Sequence, residues 1–158
     1  MTSYQDTYGR DLSDIKNAPI ESYARAFFSA APCWLVSLMR LRDQIAAVAG
    51  LKTSNAPSPA DRKQFLEECK FHKGDRLGIF EVWENNAIQI TLGQEDKHLD
   101  FRVIIGFKEM KDLNRIYIRT EVLIHNNLGK IYFFLIKPFH RFIAPVLLNR
   151  MIRKVQKV

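Results

Sequence analysis

The sequence predicts an α+β fold, an antiparallel sheet with one face covered by helices, on three observations. From Leu77 to Asn126 apolar and polar residues alternate with period two, in four runs separated by hairpin-length loops. Before Leu77 apolar residues recur instead at helical spacing. After Asn126 the segment NLGKIYFFLIKPFHRFIAPVLLNRMIRKVQKV is rich in apolar and aromatic residues and contains no Asp or Glu. A sheet apolar on one side needs cover, and this last segment is the longest piece of chain able to supply it.

In chain order, weak strand character around Tyr4–Tyr8 precedes a turn ending in Asn17-Ala18-Pro19. Tyr23, Ala24, Phe27 and Phe28 predict a helix over Ile20–Ala31, which Pro32 ends. A second helix over Cys33–Ala49 places Trp34, Leu38, Leu41 and Ile45 on one face and stops at Gly50. KTSNAPSPADR, residues 52–62, has the composition of an exposed loop. A short helix over Ala60–Cys69 follows, then a turn at Lys73-Gly74-Asp75.

The strands are expected at Ile79–Glu84, Ile88–Gly93, His98–Lys108 and Arg115–Asn126, forming an antiparallel meander. Alternation sets Phe80, Val82, Ile88, Ile90, Leu92, Leu99, Phe101, Val103, Ile105, Phe107, Ile116, Ile118, Val122 and Ile124 on the core face. Keeping Phe80 and Val82 there calls for a three-residue loop at Asn85-Asn86-Ala87, with Asn86 suited to a left-handed conformation. Glu81, Trp83, Gln89, Thr91, His98, Asp100, Arg102, Arg119, Glu121 and His125 fall on the other face. If Lys108 pairs with Arg115, Arg102 lies opposite Glu121, Asp100 opposite Leu123 and His98 opposite His125. The final segment reads as a long helix bowed by Pro138 and Pro145, which are seven residues apart and so break it on the same side.

At 158 residues the chain reads as one domain over 1–158, long enough to bury about 68–70% of its unfolded surface. Its net charge of +7 is localised. Residues 1–127 balance 17 cations against 17 acids, and Lys130, Lys137, Arg141, Arg150, Arg153, Lys154 and Lys157 supply the surplus. A cationic surplus confined to one apolar segment suggests an anionic partner or an anionic membrane surface. The competing explanation is that cations near a helix C-terminus complement its dipole. Cys33 and Cys69 follow no disulfide or metal spacing, and the polar opening MTSYQDTYGRD has no leader pattern; both readings point to a cytoplasmic protein. The longest uninterrupted apolar run, Ile131–Ile136, falls short of the roughly 20 residues that span a bilayer.

The order strand, two helices, meander and long terminal helix resembles the START-like, or SRPBCC, helix-grip superfold. More narrowly, the chain resembles the bacterial family known as domain of unknown function 2867. The residues carrying this are Pro32-x-Trp34 through Leu41-Arg42-Asp43, Gly50-Leu51-Lys52-Thr53, His98-Leu99-Asp100-Phe101-Arg102, His125-Asn126 with Leu128-Gly129, and Pro138-Phe139-His140-Arg141. The resemblance implies a curved sheet gripping the terminal helix around an apolar cavity. It supplies no catalytic residue, because the family has no assigned chemistry and fold alone does not set function.

The favoured expectation is a domain that binds a small apolar or amphipathic molecule between sheet and terminal helix. Its candidate lining is Trp34, Leu38, Phe101, Val103, Ile118, Val122, Phe134 and Phe142, with Tyr132 and Phe139 as further wall or core residues. The alternative is a membrane-surface or protein-interaction module using the basic helix. An enzyme ranks last, since the register turns nearly every titratable group outward. His98, Asp100, Arg102, Glu121 and His125 could form an acid/base or anion-binding cluster, against a solvated face of cross-strand pairs worth about 0–1 kcal/mol each. The spacing shows no HExxH-like metal site, no phosphate-binding glycine loop and no partnered cysteine nucleophile. No cofactor and no nucleic-acid partner is implied, and no oligomeric state.

Overall fold

The computed structural model describes residues 4–12, 18–31, 40, 43–48, 50, 59–110 and 113–157. Six strands form one curved antiparallel sheet: β1 Tyr4–Leu12, β2 Arg76–Leu77, β3 Phe80–Asn85, β4 Gln89–Gln94, β5 Leu99–Met110 and β6 Leu113–Ile124. Their order is β1-β6-β5-β4-β3-β2, so the first strand pairs with the last and the meander runs to the opposite edge. Three helices are bounded among the described residues: α1 Ile20–Ser29, α2 Pro59–Glu68 and the terminal α3 Asn127–Gln156. Arg40 and residues 43–48 are also helical, which is the described part of the helix expected over Cys33–Ala49. Cys33, Trp34, Leu38 and most of the 52–62 loop lie outside the described residues.

The expected elements recur with ends moved by one to four residues, and the long hairpin holds its register. Lys108 pairs with Arg115, Arg102 with Glu121 and Asp100 with Leu123. His125 N–H donates to the His98 carbonyl just beyond the last pair. Alternation then fills one face. Val82, Ile90, Leu92, Ile105 and Ile116 are fully buried in one cluster with α1, the Tyr23 ring standing edge-on to Phe107 at 5.3 Å, and Val122 is fully buried with Tyr132 and Phe133 of the terminal helix. Burying side chains of this size contributes about 1.5–3 kcal/mol each before entropy is set against it.

The first hairpin departs from expectation. Register shifts between Val82↔Leu92 and Glu84↔Thr91, leaving Trp83 as a bulge. One extra residue reverses the side-chain parity, so Asn85, opposite Ile90, turns toward α1 and donates to Glu21 Oε1 and the Phe71 carbonyl. The turn is therefore not made by a left-handed Asn86. Instead Asn86 Oδ1 accepts from the N–H groups of Ile88 and Gln89, and Phe71 is the non-glycine residue with positive φ among the described residues. Ile88 sits in this turn and is 59% exposed, not on the core face.

Helix α3 runs unbroken through Pro138 and Pro145. Its start is set by Asn126, whose Oδ1 accepts from Gly129 N–H while its amide meets the Lys97 carbonyl and His98 Nδ1. From there α3 crosses β1 and β6 and ends against α1, where Arg150 donates to the Ala30 carbonyl. The uninterrupted apolar run understated this helix: by length and composition Asn127–Gln156 could cross a bilayer, and only 28% of its most apolar stretch is buried.

At Gly129 α3 comes closest to the chain entering β5, because a Cβ there would collide with the His98 carbonyl oxygen. Gly129→Ala should thus destabilise the protein by about 1–3 kcal/mol in urea unfolding, despite alanine's better helix propensity. A neutral or stabilising result would contradict this packing.

Candidate functional site

Among the described residues the core falls into two apolar clusters. One gathers Tyr23, Phe71, Leu92, Ile105, Ile116, Ile118, Leu148 and Met151. The other gathers Ala46, Leu99, Val122, Tyr132 and Phe133. Phe101, partly buried, packs on both. Polar side chains meet beside it. Pairing of β1 with β6 puts Asp6 opposite Thr120, on the helix-facing side of the sheet, with Tyr4 opposite Val122 in the next core-facing pair. From above, α3 presents His140.

The four groups touch. Tyr4 OH donates to Asp6 Oδ2 at 2.8 Å, and His140 Nδ1 lies 3.3 Å from the same oxygen, off the line of a strong hydrogen bond. His140 Nε2 is 3.1 Å from Thr120 Oγ1, and the Phe101 ring stands edge-on to the imidazole at 5.9 Å. Asp6 Oδ1 is buried with no hydrogen-bond partner. Burial alone pushes the Asp6 carboxyl up, but the adjacent His140 imidazole, the hydrogen bond from Tyr4 and the nearby Thr120 hydroxyl outweigh it and hold the pKa below its ordinary value. Burial, followed by the bond to Asp6 and its charge, pushes Tyr4 up to about 12. At neutral pH the site is therefore an ionised carboxylate beside a protonated phenol.

Carboxylate, imidazole and hydroxyl in a row have the connectivity of an acyl-transfer relay. The geometry does not serve that chemistry, because Thr120, the would-be nucleophile, is only 1% exposed. What the arrangement offers is an unfilled anionic acceptor in apolar surroundings.

The candidate lining residues divide. Phe101, Val103, Ile118 and Val122 surround Thr120 on adjacent strand positions. Trp34 and Leu38 lie outside the described residues. Phe134 and Phe142 do not line the interior, being 77% and 65% exposed. Phe133 and His140 face the sheet, and at about 3.6 residues per turn their neighbours Phe134 and Phe142 are carried round to the outside. Tyr132 is buried and Phe139 is exposed.

The outward polar group resolves into separate structural contacts. Arg102 pairs with Glu121 at 3.4 Å and stacks on Trp83, while His125 pairs with Asp100 at 3.0 Å. His98 turns away to the Asn126 cap. Among the described residues no three His, Cys, Asp or Glu side chains gather as a metal site requires. Burial raises the Cys69 pKa, which keeps it a thiol; it accepts from Phe71 N–H. A surface depression of about 560 Å³ beside Cys69, His72 and Asp75 is open to solvent, and no residue of α3 lines it.

Asp6, Thr120 and His140 were missed as a group, although one signal was legible. Thr120 occupies a core-facing position between Ile118 and Val122, and a polar residue there needs a partner.

The fold is thus that of an α+β domain in which a curved antiparallel sheet holds a long terminal helix, consistent with a helix-grip arrangement. The chain belongs to the family of proteins of unknown function DUF2867, whose model matches residues 1–147. No curated protein matches it. It is similar to the solved structure of an uncharacterized protein from Rhizobium leguminosarum, at 12% identity and a TM-score of 0.48, over 98% of this chain and 95% of that one.

Asp6 has a definite pH signature. A carboxyl whose folded pKa is lowered stabilises the fold fully above its ordinary value of 3.8, and that contribution is lost as pH falls through the folded pKa. Asp6→Asn should therefore cost stability at pH 7, and the gap from the parent should narrow in urea unfolding below about pH 4. A pH-independent gap would mean that Asp6 is not held as an ion. Tyrosinate absorbance, compared with Tyr4→Phe, should show one phenol titrating near 12.

Proposed function

We propose that this domain binds a small amphipathic molecule on the helix-facing side of its sheet. The ligand would present an apolar body to Phe101, Val103, Ile118 and Val122, and one hydroxyl or amino donor to Asp6. The observation that carries this reading is the buried, unpartnered Asp6 Oδ1 at the break between two apolar clusters. Desolvating a charge costs several kcal/mol, and a site kept only for packing would be no worse filled with apolar side chains of the same volume. Ligand sites instead combine apolar walls with a few convergent polar groups. The START-like resemblance, which implies an apolar cavity between sheet and terminal helix, supports this reading, as does the exposed edge of the site, where Asp6 and His140 retain 12% and 17% of their side-chain surface.

Native mass spectrometry of freshly purified protein tests this. The parent should carry a small-molecule adduct that is released on unfolding, and Asp6→Asn, which keeps the shape but removes the anionic acceptor, should carry at least about tenfold less, the loss of one charge-assisted hydrogen bond. The reading fails if the parent carries no adduct and no hydroxylated or aminated apolar compound raises its melting temperature.

A further inference from the structure

We infer that the outward face of α3 is a docking surface for an anionic membrane, a role independent of any ligand on its inward face. The faces separate along the helix. Gly129, Phe133, His140, Ala144, Leu147 and Met151 are directed to the sheet and α1. Opposite them Leu128, Ile131, Leu135 and Phe142 recur at three-, four- and seven-residue steps, with Phe134 and Phe139 beside them, and all six are exposed, from 38% to 77%. A contiguous apolar patch of this kind on a monomer marks an interaction surface. Its residues extend over about 21 Å of helix, taking about 1.5 Å per residue.

Charge selects the occupant. Lys130 and Arg141, both exposed and eleven residues apart, lie along one flank of the stripe, in line with Phe134, and no acidic residue occurs beyond Glu121. Long cationic side chains at the edge of an apolar helical face can reach anionic headgroups while phenylalanines enter the acyl boundary. A second copy packed antiparallel on the same face would bring these cations against each other, whereas anionic headgroups complement them. The inward face is committed to the protein, with Phe133, Ala144, Leu147 and Met151 buried and His140 against Thr120, so α3 lies along the sheet and offers the bilayer one side only.

Co-sedimentation of the full chain with phosphatidylcholine vesicles, with and without phosphatidylserine, tests the inference. Binding should require phosphatidylserine and fall at high salt. Ile131→Ser with Phe134→Ser should weaken it at least about tenfold, as should Lys130→Glu with Arg141→Glu. All four positions are exposed, and circular dichroism verifies that the variants fold. The inference is overturned if the parent stays in the supernatant, or if folded variants pellet like the parent. It is overturned equally if light scattering finds a dimer that Ile131→Ser with Phe134→Ser dissolves, since a second copy would then cover the face. A ligand adduct persisting in vesicle-negative variants separates this result from that of the inward site.

Discussion

The close approach of α3 to the His98 carbonyl at Gly129 is the constraint on which the rest depends. Asn126 caps the helix one turn earlier and shares its amide with Lys97 and His98, so the β4–β5 loop, the end of β6 and the start of α3 are tied at one point. A helix fixed in position and rotation there has no freedom about which residues face the sheet. Gly129, Phe133 and His140 must point inward, and Ile131, Phe134 and Phe142 must point out.

That rotation places an imidazole over a carboxylate in the middle of an apolar interface. The arrangement is costly in isolation, since a buried carboxylate recovers its desolvation only with good geometry and several hydrogen bonds. Tyr4 and Thr120 provide some of these bonds, yet Asp6 Oδ1 stays unmatched and His140 Nδ1 meets its partner at a poor angle. The lowered Asp6 pKa shows that the bonds outweigh burial for the ionised form. The site is thus stable enough to persist and incomplete enough to accept another donor.

The same helix explains why the charge surplus gathers at the chain's end. Arg150 serves the fold by satisfying the last turn of α1, and Lys137 lies 4.8 Å from the centre of the Tyr4 ring. Lys130 and Arg141 remain exposed beside an apolar stripe. Cations that complete packing and cations that edge an outward surface therefore share one element, and composition cannot separate them.

The sequence by itself determined what depends on local period. Alternation over residues 77–126 specified the meander and the Arg102–Glu121 register, because a one-residue slip would put the apolar set in water. Helical spacing placed α1, and the proline-interrupted apolar segment placed α3. Three features were decided only in the tertiary structure, each because it turns on a single residue or a long-range contact. The Trp83 bulge reverses parity with one residue that no periodicity marks. Asp6 gains its meaning from β1 pairing with β6, whose partners are more than a hundred residues away in the chain. Finally, α3 is apolar nearly all round, so its composition could not say whether His140 or Phe142 faces the sheet; the contact of Gly129 with His98 sets that rotation.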